Sequence, residues 1–339
     1  MKILYEMYFD HQLISLLVIS FIFTTLFLKL LIPFFIHLKF LDKPNNRSNH
    51  ITPISLGGGL VVLPIIFLVS YFAGYSWSYA NIFTLIFLFL ISFVDDLKNI
   101  RALYRLIVHF FCISIYVYFL LSEKNFLFVY SDAYLKTIIY IFLILSITWF
   151  INAFNFMDGI DGITAIQVIF LTSSLLVFNF FLGIENNILH FCLLGTALGF
   201  LVFNWHPAKI FLGDAGSIPL GFLMLYLLVE FFITGYWVSV IILPMYYLLD
   251  TAITLFYRIW KREKFWRSHS QHFYQKAVRG GQSHKKVCFK IIVLSIGLFI
   301  FSFLAILEKN NFIFLILSFV WCIFFLLNFS NNKLSIKND

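Results

Sequence analysis

The sequence predicts an all-α integral membrane protein, a bundle of about eleven transmembrane helices whose functional site lies on the cytoplasmic face. Of the 339 residues, 61% are hydrophobic and only 12% are charged, whereas soluble domains carry about 25% charged residues. The apolar stretches are about as long as a helix needs to cross a bilayer, and short polar connections separate them. A membrane β-barrel would instead show segments of about ten residues with alternating hydrophobicity.

Eleven apolar stretches follow one another along the chain. They cover residues 12–38, 57–77, 79–94, 103–121, 137–154, 163–183, 188–203, 217–234, 236–257, 288–306 and 312–328. The first is long and follows Glu6 and Asp10, so we interpret it as a span and not as a cleaved signal peptide. The chain is therefore predicted to form one polytopic domain over residues 1–339, with a basic cytoplasmic loop over 258–287.

Basic residues are unequally distributed between the two sides of the predicted bundle. Eighteen Lys and Arg lie in loops after odd-numbered spans and in the C-terminal tail, and four lie on the other side. The positive-inside rule therefore predicts a cytoplasmic C-terminus and an N-terminus outside. The net charge of +8 then reflects topology and contact with anionic membrane lipid, and it does not indicate a nucleic acid partner.

The uncommon polar motifs all fall on the predicted cytoplasmic side. They are "LDKPNNRSNHITPISLGGG" after span one, "FVDDLKNIRALYR" after span three, "NAFNFMDGIDG" at the end of span five, "FNWHPAKIFLGDAGS" after span seven and "RIWKREKFWRSHSQHFYQKAVRGGQSHKKV" after span nine. Five polar clusters on one face predict a single site for polar, cytosolic substrates.

Asp95 and Asp96 are adjacent carboxylates at the end of an apolar span. They repel one another and are unfavourable to desolvate, so they need a cation, a proton or a basic partner. A structural alternative is a pair of interfacial charges at a helix end, satisfied by Lys98, Arg101 and Arg105. The sequence leaves both interpretations open.

Asn155 and Asp158 are three residues apart, so they share a face if span five stays helical to its end. Amide and carboxylate oxygens suit Mg²⁺, with Mn²⁺ as the alternative, better than zinc. A simple helix-ending turn would explain the neighbouring glycines but not four polar side chains beside a membrane. We therefore predict a metal or ligand site here.

Asp214 is flanked by glycines in "FLGDAGS". Ser217 is expected to cap span eight, whose N-terminus would attract phosphate. In the basic loop, the His269 and His272 spacing could bind zinc, but phosphate contacts fit the surrounding Lys and Arg better. Asp250 lies about two helical turns inside span nine, so it needs a buried partner such as Asn155 or a lysine.

Together these motifs resemble the polyprenyl-phosphate N-acetylhexosamine-1-phosphate transferase family over roughly residues 40–290. The motifs occur in family order, as "DKPNNRSNH", "DDLKN", "NAFNFMDGIDG", "PAKIFLGDAGS" and a His-containing basic loop. The resemblance implies a Mg²⁺-dependent enzyme of the bacterial inner membrane that transfers a sugar-1-phosphate from a UDP-N-acetylhexosamine to undecaprenyl phosphate. A homodimer is left open.

The resemblance also implies roles for individual residues. The catalytic residues would be Asp95, Asp96 and Asp214, the metal ligands Asn155 and Asp214, and the substrate-binding residues Arg47, Arg105, Asn152, Asp158, Asp161, Phe211, His269 and His272. Phe211 would stack on uracil, Asp158 and Asp161 would reach the ribose and base, and the Arg and His residues would contact phosphates.

Two positions depart from the family pattern. Asn99 replaces a third carboxylate, and "HSQHFYQ" replaces a run of consecutive histidines. This form is closer to the enzymes that initiate O-antigen and capsule synthesis than to the peptidoglycan-precursor enzyme, which is the alternative. A transporter of nucleotide sugars or lipid-linked sugars is the alternative from another class, although transport sites usually lie near the bilayer midplane.

Overall fold

The computed structural model describes residues 2–44, 49, 51–123, 132–185, 187–264 and 269–330. These residues are almost entirely helical, which confirms the predicted all-α class. The helices are α1 (Lys2–His37), α2 (Gly58–Phe72), α3 (Tyr79–Lys98), α4 (Ala102–Glu123), α5 (Ala133–Phe156), α6 (Ile163–Leu182), α7 (Ile188–Asn204), α8 (Asp214–Ile233), α9 (Trp237–Ile242), α10 (Met245–Trp260), α11 (Phe273–Arg279), α12 (His284–Leu307) and α13 (Ile313–Ser330). Two short strands, β1 (Leu41–Asp42) and β2 (Ile54–Ser55), pair antiparallel after α1.

In the part of the chain that the structure describes, eight helices are long and apolar enough to cross a membrane: α1, α3, α4, α5, α6, α8, α12 and α13. The shorter apolar helices α2 and α7 bring the match to ten of the eleven predicted spans. The predicted unbroken ninth span was wrong, because α9 ends at Ile242 and α10 begins at Met245. Pro244 between them has no N–H and its ring clashes with the preceding turn, so the helix breaks there.

The helices α6 and α8 form the centre of the bundle. In their apolar windows 61% and 67% of the residues are buried, against 22% in α1 and 28% in α13. The outer helices instead expose apolar side chains such as Phe23, Phe27 and Leu30, as expected of surfaces that face lipid. Asp214, the first residue of α8, therefore lies at the end of the most enclosed helix.

Helices α2 and α8 touch backbone to backbone near Asp214. A Cβ on Gly59 would lie only 2.4 Å from the nitrogen of Gly216, so only glycine fits at this crossing. The N–H of Gly58 donates to the Phe211 carbonyl at 3.0 Å, and that of Gly59 to the Leu212 carbonyl at 2.9 Å. The glycine run of the first loop thus holds the segment that leads into Asp214.

Candidate active site

Arg105 joins two of the predicted acidic residues across the bundle. Its Nη1 donates to Oδ2 of Asp95 at the end of α3, and to Oδ2 of Asp214 at the start of α8 at 2.6 Å. The other Asp95 oxygen accepts from the Ile100 N–H at 2.6 Å. Arg105 can do this because it lies in the first turn of α4, directly after the turn that ends α3. Of the three basic residues expected to neutralise the acidic pair, Arg105 forms an ion pair with Asp95.

Asp96 caps the N-terminus of α8. Its Oδ1 accepts from the Asp214 N–H at 2.9 Å and its Oδ2 from the Ala215 N–H at 3.0 Å. A carboxylate is stabilised at a helix N-terminus by the unpaired N–H groups and the helix dipole. Gly213 makes room for this contact, since a Cβ there would lie 2.6 Å from Asp96 Oδ2.

The expectation that Ser217 caps α8 was wrong. The helix begins at Asp214, so Ser217 lies inside its first turn and its hydroxyl donates to Asn155 Oδ1 at 3.2 Å. This bond places the end of α5 beside the start of α8. Asn155 and Asp214, the two predicted metal ligands, therefore lie on adjacent helix ends.

The donor set of this cluster suits a hard divalent cation. Asp95, Asp96 and Asp214 carry three negative charges, and Arg105 is the one cation among the described residues that bonds to them, which leaves a formal charge of −2. The three carboxylates do not converge into a closed cage of ligand atoms. Mg²⁺ usually binds through one or two carboxylates together with substrate phosphates and waters, so an open set fits it.

Asn99, which replaces a carboxylate of the family pattern, ends α3. Its backbone is left-handed, with φ of 50°, and its N–H donates to the Asp95 carbonyl at 2.8 Å. Asparagine is the residue type that tolerates this conformation best after glycine. The residue therefore closes the turn that brings Arg105 back to Asp95.

Asp158 and Asp161 lie in the loop between α5 and α6 but have different surroundings. Asp158 Oδ1 accepts from the Thr164 hydroxyl at 2.5 Å. Burial raises the pKa of Asp158 to about 6, against the opposing effect of that hydrogen bond, and the charge of Asp96 adds to the rise. Carboxyl groups with perturbed pKa values are concentrated at functional sites, so Asp158 stays a candidate site residue.

Asp161 is occupied by two histidines that sequence reasoning missed. Its Oδ2 accepts from His206 Nδ1 at 2.5 Å and from the Ala208 N–H at 3.1 Å, and its Oδ1 lies 3.2 Å from His284 Nδ1. Burial alone would raise the pKa of Asp161, but these contacts outweigh it and hold the pKa below its ordinary value. The histidines are 45 and 123 residues away in sequence, so no local spacing could reveal the group.

Asn152 and Phe211, two further predicted substrate-binding residues, lie near the end of α5 and just before α8. The Asn152 amide donates to the Thr148 carbonyl at 2.7 Å and lies 3.4 Å from His109 Nδ1. Phe211 is half-buried, and its N–H donates to the Ser55 carbonyl at 2.8 Å. Their predicted substrate contacts stay predictions, and Arg47 lies outside the described residues.

The basic loop folds back onto the end of α5. His272 stacks on Phe156 with ring centroids 6.2 Å apart and on His269 at 4.9 Å, and the Tyr274 hydroxyl donates to the Phe156 carbonyl at 2.9 Å. Both predicted histidines therefore lie together, next to the helix that carries Asn155.

Asp250 is the residue that holds this loop. It is fully buried, and its Oδ1 accepts from His272 Nδ1 at 3.0 Å and from the Phe273 N–H at 3.1 Å. Its Oδ2 accepts from the Tyr274 N–H at 3.4 Å. The sequence required a buried partner for Asp250, for example Asn155 or a lysine, without naming it; the structure shows that Asp250 pairs with His272 and caps α11.

Comparison with known proteins finds similarity to sugar-phosphate transferases. Residues 78–232 match the profile of glycosyl transferase family 4. The chain is 27% identical to a phospho-N-acetylmuramoyl-pentapeptide-transferase of Kosmotoga olearia over 267 residues, which cover 73% of this chain and 82% of that protein. It is 30% identical to a probable undecaprenyl-phosphate N-acetylglucosaminyl 1-phosphate transferase of Bacillus subtilis over 188 residues, which cover 52% of this chain and 51% of that protein.

A shorter match has a higher sequence identity. A phospho-N-acetylmuramoyl-pentapeptide-transferase of Streptococcus mutans is 34% identical over 116 residues, which cover 33% of this chain and 32% of that protein. The profile match runs from the N-cap of α3 into α8. It therefore contains Asp95, Asp96, Arg105, Asn155 and Asp214.

Proposed function

Because the chain belongs to the polyprenyl-phosphate N-acetylhexosamine-1-phosphate transferase family, we propose that it transfers an N-acetylhexosamine-1-phosphate from a UDP-sugar to undecaprenyl phosphate and releases UMP. The reaction would be the first membrane step of O-antigen or other surface-polysaccharide synthesis, at the bacterial inner membrane. The observation that carries this proposal is the joining of Asp95, Arg105 and Asp214 at the N-terminus of α8, which Asp96 caps.

The cluster addresses the main obstacle of the reaction, which is charge repulsion. The UDP-sugar brings two phosphates and the lipid brings a third, and like charges keep the nucleophile away from the electrophile. Arg105 offers a guanidinium to these phosphates, whereas the first N–H groups of α8 already donate to Asp96. A Mg²⁺ ion held by Asn155 and Asp214 would supply further charge neutralisation and polarise a phosphoryl oxygen.

The proposed step exchanges one phosphoanhydride bond for another. An oxygen of the lipid phosphate attacks the β-phosphorus of the UDP-sugar, and the bond from that phosphorus to the α–β bridging oxygen breaks. UMP leaves with the electron pair, and the sugar-1-phosphate becomes part of a lipid pyrophosphate. Asp95, which Arg105 orients, would position the lipid phosphate and accept its remaining proton, while Asp96 fixes the helix end.

The nucleoside would lie on the side of the cluster formed by Phe211 and the loop between α5 and α6. Phe211 precedes Asp214 by three residues, and both its backbone N–H and carbonyl are held by the first loop, so the ring is anchored for stacking. The ionised Asp158 carboxylate would accept a hydrogen bond from a ribose hydroxyl. Asp161 already accepts from His206 and Ala208, so it would act on the base by shaping this loop.

The polyprenyl chain has a matching apolar space. A cavity of about 360 Å³ lies between α2 and α3 against α8, lined by residues that include Leu63, Phe67, Trp77 and Phe89. Phe89 precedes Asp96 by seven residues, which is about 10 Å along a helix. The cavity walls therefore lead along α3 to the carboxylates where the lipid phosphate would react.

The identity of the donor sugar distinguishes two candidate functions. The names of the K. olearia and S. mutans relatives favour a muramoyl-pentapeptide donor, and this is the second candidate. We favour a simple N-acetylhexosamine because the loop holds separated histidines, one of which Asp250 binds under α11. The muramoyl-pentapeptide donor is bulkier than a simple sugar, and its peptide would need additional contacts from this same loop.

The test is UMP release by the purified full-length protein with undecaprenyl phosphate, Mg²⁺ and a panel of UDP-N-acetylhexosamines, with mass analysis of the lipid product. UMP formed from one simple donor, only with lipid and metal present, is the expected result. UMP formed only from UDP-N-acetylmuramoyl-pentapeptide would establish the second candidate. Release from no donor by folded protein would contradict the transferase and favour a transporter.

A further inference from the structure

Asp161, His206 and His284 form a buried cluster beside the proposed active site. One ligand atom from each residue lies within 4.8 Å of the other two, and among the described residues this is the one group of three His, Cys, Asp or Glu side chains so arranged. Asp161 is 4% exposed and His284 6%. The group joins the loop after α5, the segment before α8 and the first residue of α12.

In the neutral form of His284, the ring nitrogen that faces the Asp161 carboxylate carries no proton. His284 Nε2 lies 3.1 Å from the Asn49 carbonyl, and a carbonyl only accepts, so Nε2 carries the proton. In the neutral ring Nδ1 is then an acceptor, as the 3.3 Å contact from the Asp161 N–H also indicates. This nitrogen lies 3.2 Å from Asp161 Oδ1.

Asp161 Oδ1 is buried and, among the described residues, accepts no hydrogen bond that meets the geometric criteria, although His284 Nδ1 lies beside it. With the His284 ring neutral, two lone pairs face each other at 3.2 Å and repel, and a buried oxygen without a partner is destabilising by about 1–3 kcal/mol. A cation placed between the nitrogen and the oxygen would remove both penalties. The geometry therefore points to a ligand that is positively charged and accepts both nitrogen and oxygen donors.

We propose that Asp161, His206 and His284 bind one Zn²⁺ ion. Two imidazole nitrogens and one carboxylate oxygen are a zinc ligand set, whereas Mg²⁺ prefers oxygen alone. His284 Nδ1 and Asp161 Oδ1 already have the separation of about 3.3 Å expected between tetrahedral ligands with bonds of about 2.0–2.1 Å. The hydrogen bond that His284 Nε2–H donates to the Asn49 carbonyl fixes the ring in the tautomer that a metal needs.

His206 is the third ligand of the proposed site, and its Nδ1 loses a proton when it binds the metal. Its Nδ1–H now donates to Asp161 Oδ2 at 2.5 Å. Zn²⁺ binding displaces that proton to solvent, and the nitrogen and oxygen separate to the ligand spacing. The His206 side chain is 37% exposed, so the ring can make this small movement and leave the fourth coordination position open to water.

This site is chemically separate from the proposed Mg²⁺ site. The phosphoryl-transfer cluster presents oxygen donors from Asn155 and Asp214, and neither belongs to the histidine group. Zn²⁺ would connect three chain segments that otherwise meet only through hydrogen bonds and packing. Its effect is therefore expected on the stability of the loops around the nucleoside side of the cluster.

The experiment is direct Zn²⁺ binding to the full-length protein in detergent, purified without a histidine tag and stripped with a chelator. About one Zn²⁺ per chain should bind in the presence of millimolar Mg²⁺, and Co²⁺ in its place should give the intense visible absorption of a tetrahedral site. His206→Gln should weaken binding at least about tenfold and abolish the Co²⁺ spectrum. The half-exposed ring makes this variant the one least at risk of misfolding.

His284→Gln should have the same effect, and His269→Gln is the matched control. The control removes a histidine from the nearby basic loop and should keep full binding and the Co²⁺ spectrum. Zn²⁺ should also raise the thermal unfolding midpoint of the wild-type protein and of the control, but not of His206→Gln. No stoichiometric binding to wild type, or binding that survives both ligand changes, would overturn the proposal.

Discussion

Replacing Asp250 with Asn should loosen the basic loop and slow the enzyme. The asparagine keeps one acceptor oxygen, but its amide would face the Tyr274 N–H, and the charge that attracts His272 Nδ1 is lost. Hydrogen bonds to charged groups contribute about 1.5–3 kcal/mol. With partial relaxation of the short helix α11, we expect a loss of about 2 kcal/mol, or roughly 4 °C in the unfolding midpoint.

The rate of UMP release should fall by more than the loss of stability alone would cause. His272 takes its orientation from Asp250, and a displacement of about 1 Å at a catalytic contact can lower the rate about 10²-fold. Asp250→Ala should be more severe, because it removes the acceptor of four donors, on Thr254, His272, Phe273 and Tyr274, with an expected loss of about 3–5 kcal/mol.

UMP release and thermal unfolding in the same detergent measure the two effects. Thr251→Val is the matched control: Thr251 is buried on the same helix, but among the described residues its hydroxyl bonds only to the Tyr247 and Leu248 carbonyls of that helix. The control should lie near wild type in both assays. Wild-type rate and midpoint for Asp250→Asn would refute the assignment of Asp250 as the anchor of His272.

Four further predictions follow from the site and the helix crossing. Asp214→Asn should lower UMP release by at least about 10²-fold while the protein remains folded in detergent, and wild-type turnover would contradict its role as metal ligand. Because burial raises the pKa of Asp158 to about 6, log(kcat/KM) should rise with pH through about 6, and Thr164→Val should move this rise to higher pH; an unmoved profile would exclude Asp158. The same carboxyl holds a proton in the folded state between pH 3.8 and about 6, so its contribution to stability should fall as pH rises through that window. Gly59→Ala should lower the unfolding midpoint through a loss of about 1–3 kcal/mol, because its Cβ would meet the Gly216 backbone; an unchanged midpoint would disprove this close crossing.

The spans could be predicted from the sequence because lipid imposes long apolar runs that need no knowledge of partners. Ten of the eleven predicted spans correspond to single helices in order. The break before Pro244 was missed because hydropathy does not change there. Helix α11 was also missed, since its first turn depends on Asp250, which lies more than twenty residues earlier in the chain.

The residues of the site were easier to predict than their partners. Asp95, Asp96 and Asp214 stand out because carboxylates beside apolar helices need an explanation. That Arg105 joins two of them, and that Asp96 caps α8, depends on how the helices pack, and local patterns carry no such information. The histidines around Asp161 were missed for the same reason.

The capping of α8 by Asp96 also bears on how the protein is made. Asp95 and Arg105 are ten residues apart, so their ion pair can form as soon as α3 and α4 leave the ribosome. Asp96 and the amide of Asp214 are 118 residues apart, which at about 5–20 residues per second takes roughly 6–24 s to synthesise. During that interval the Asp96 carboxylate has no helix to cap. Membrane insertion must therefore keep this end of α3 in contact with water or lipid headgroups until α8 arrives.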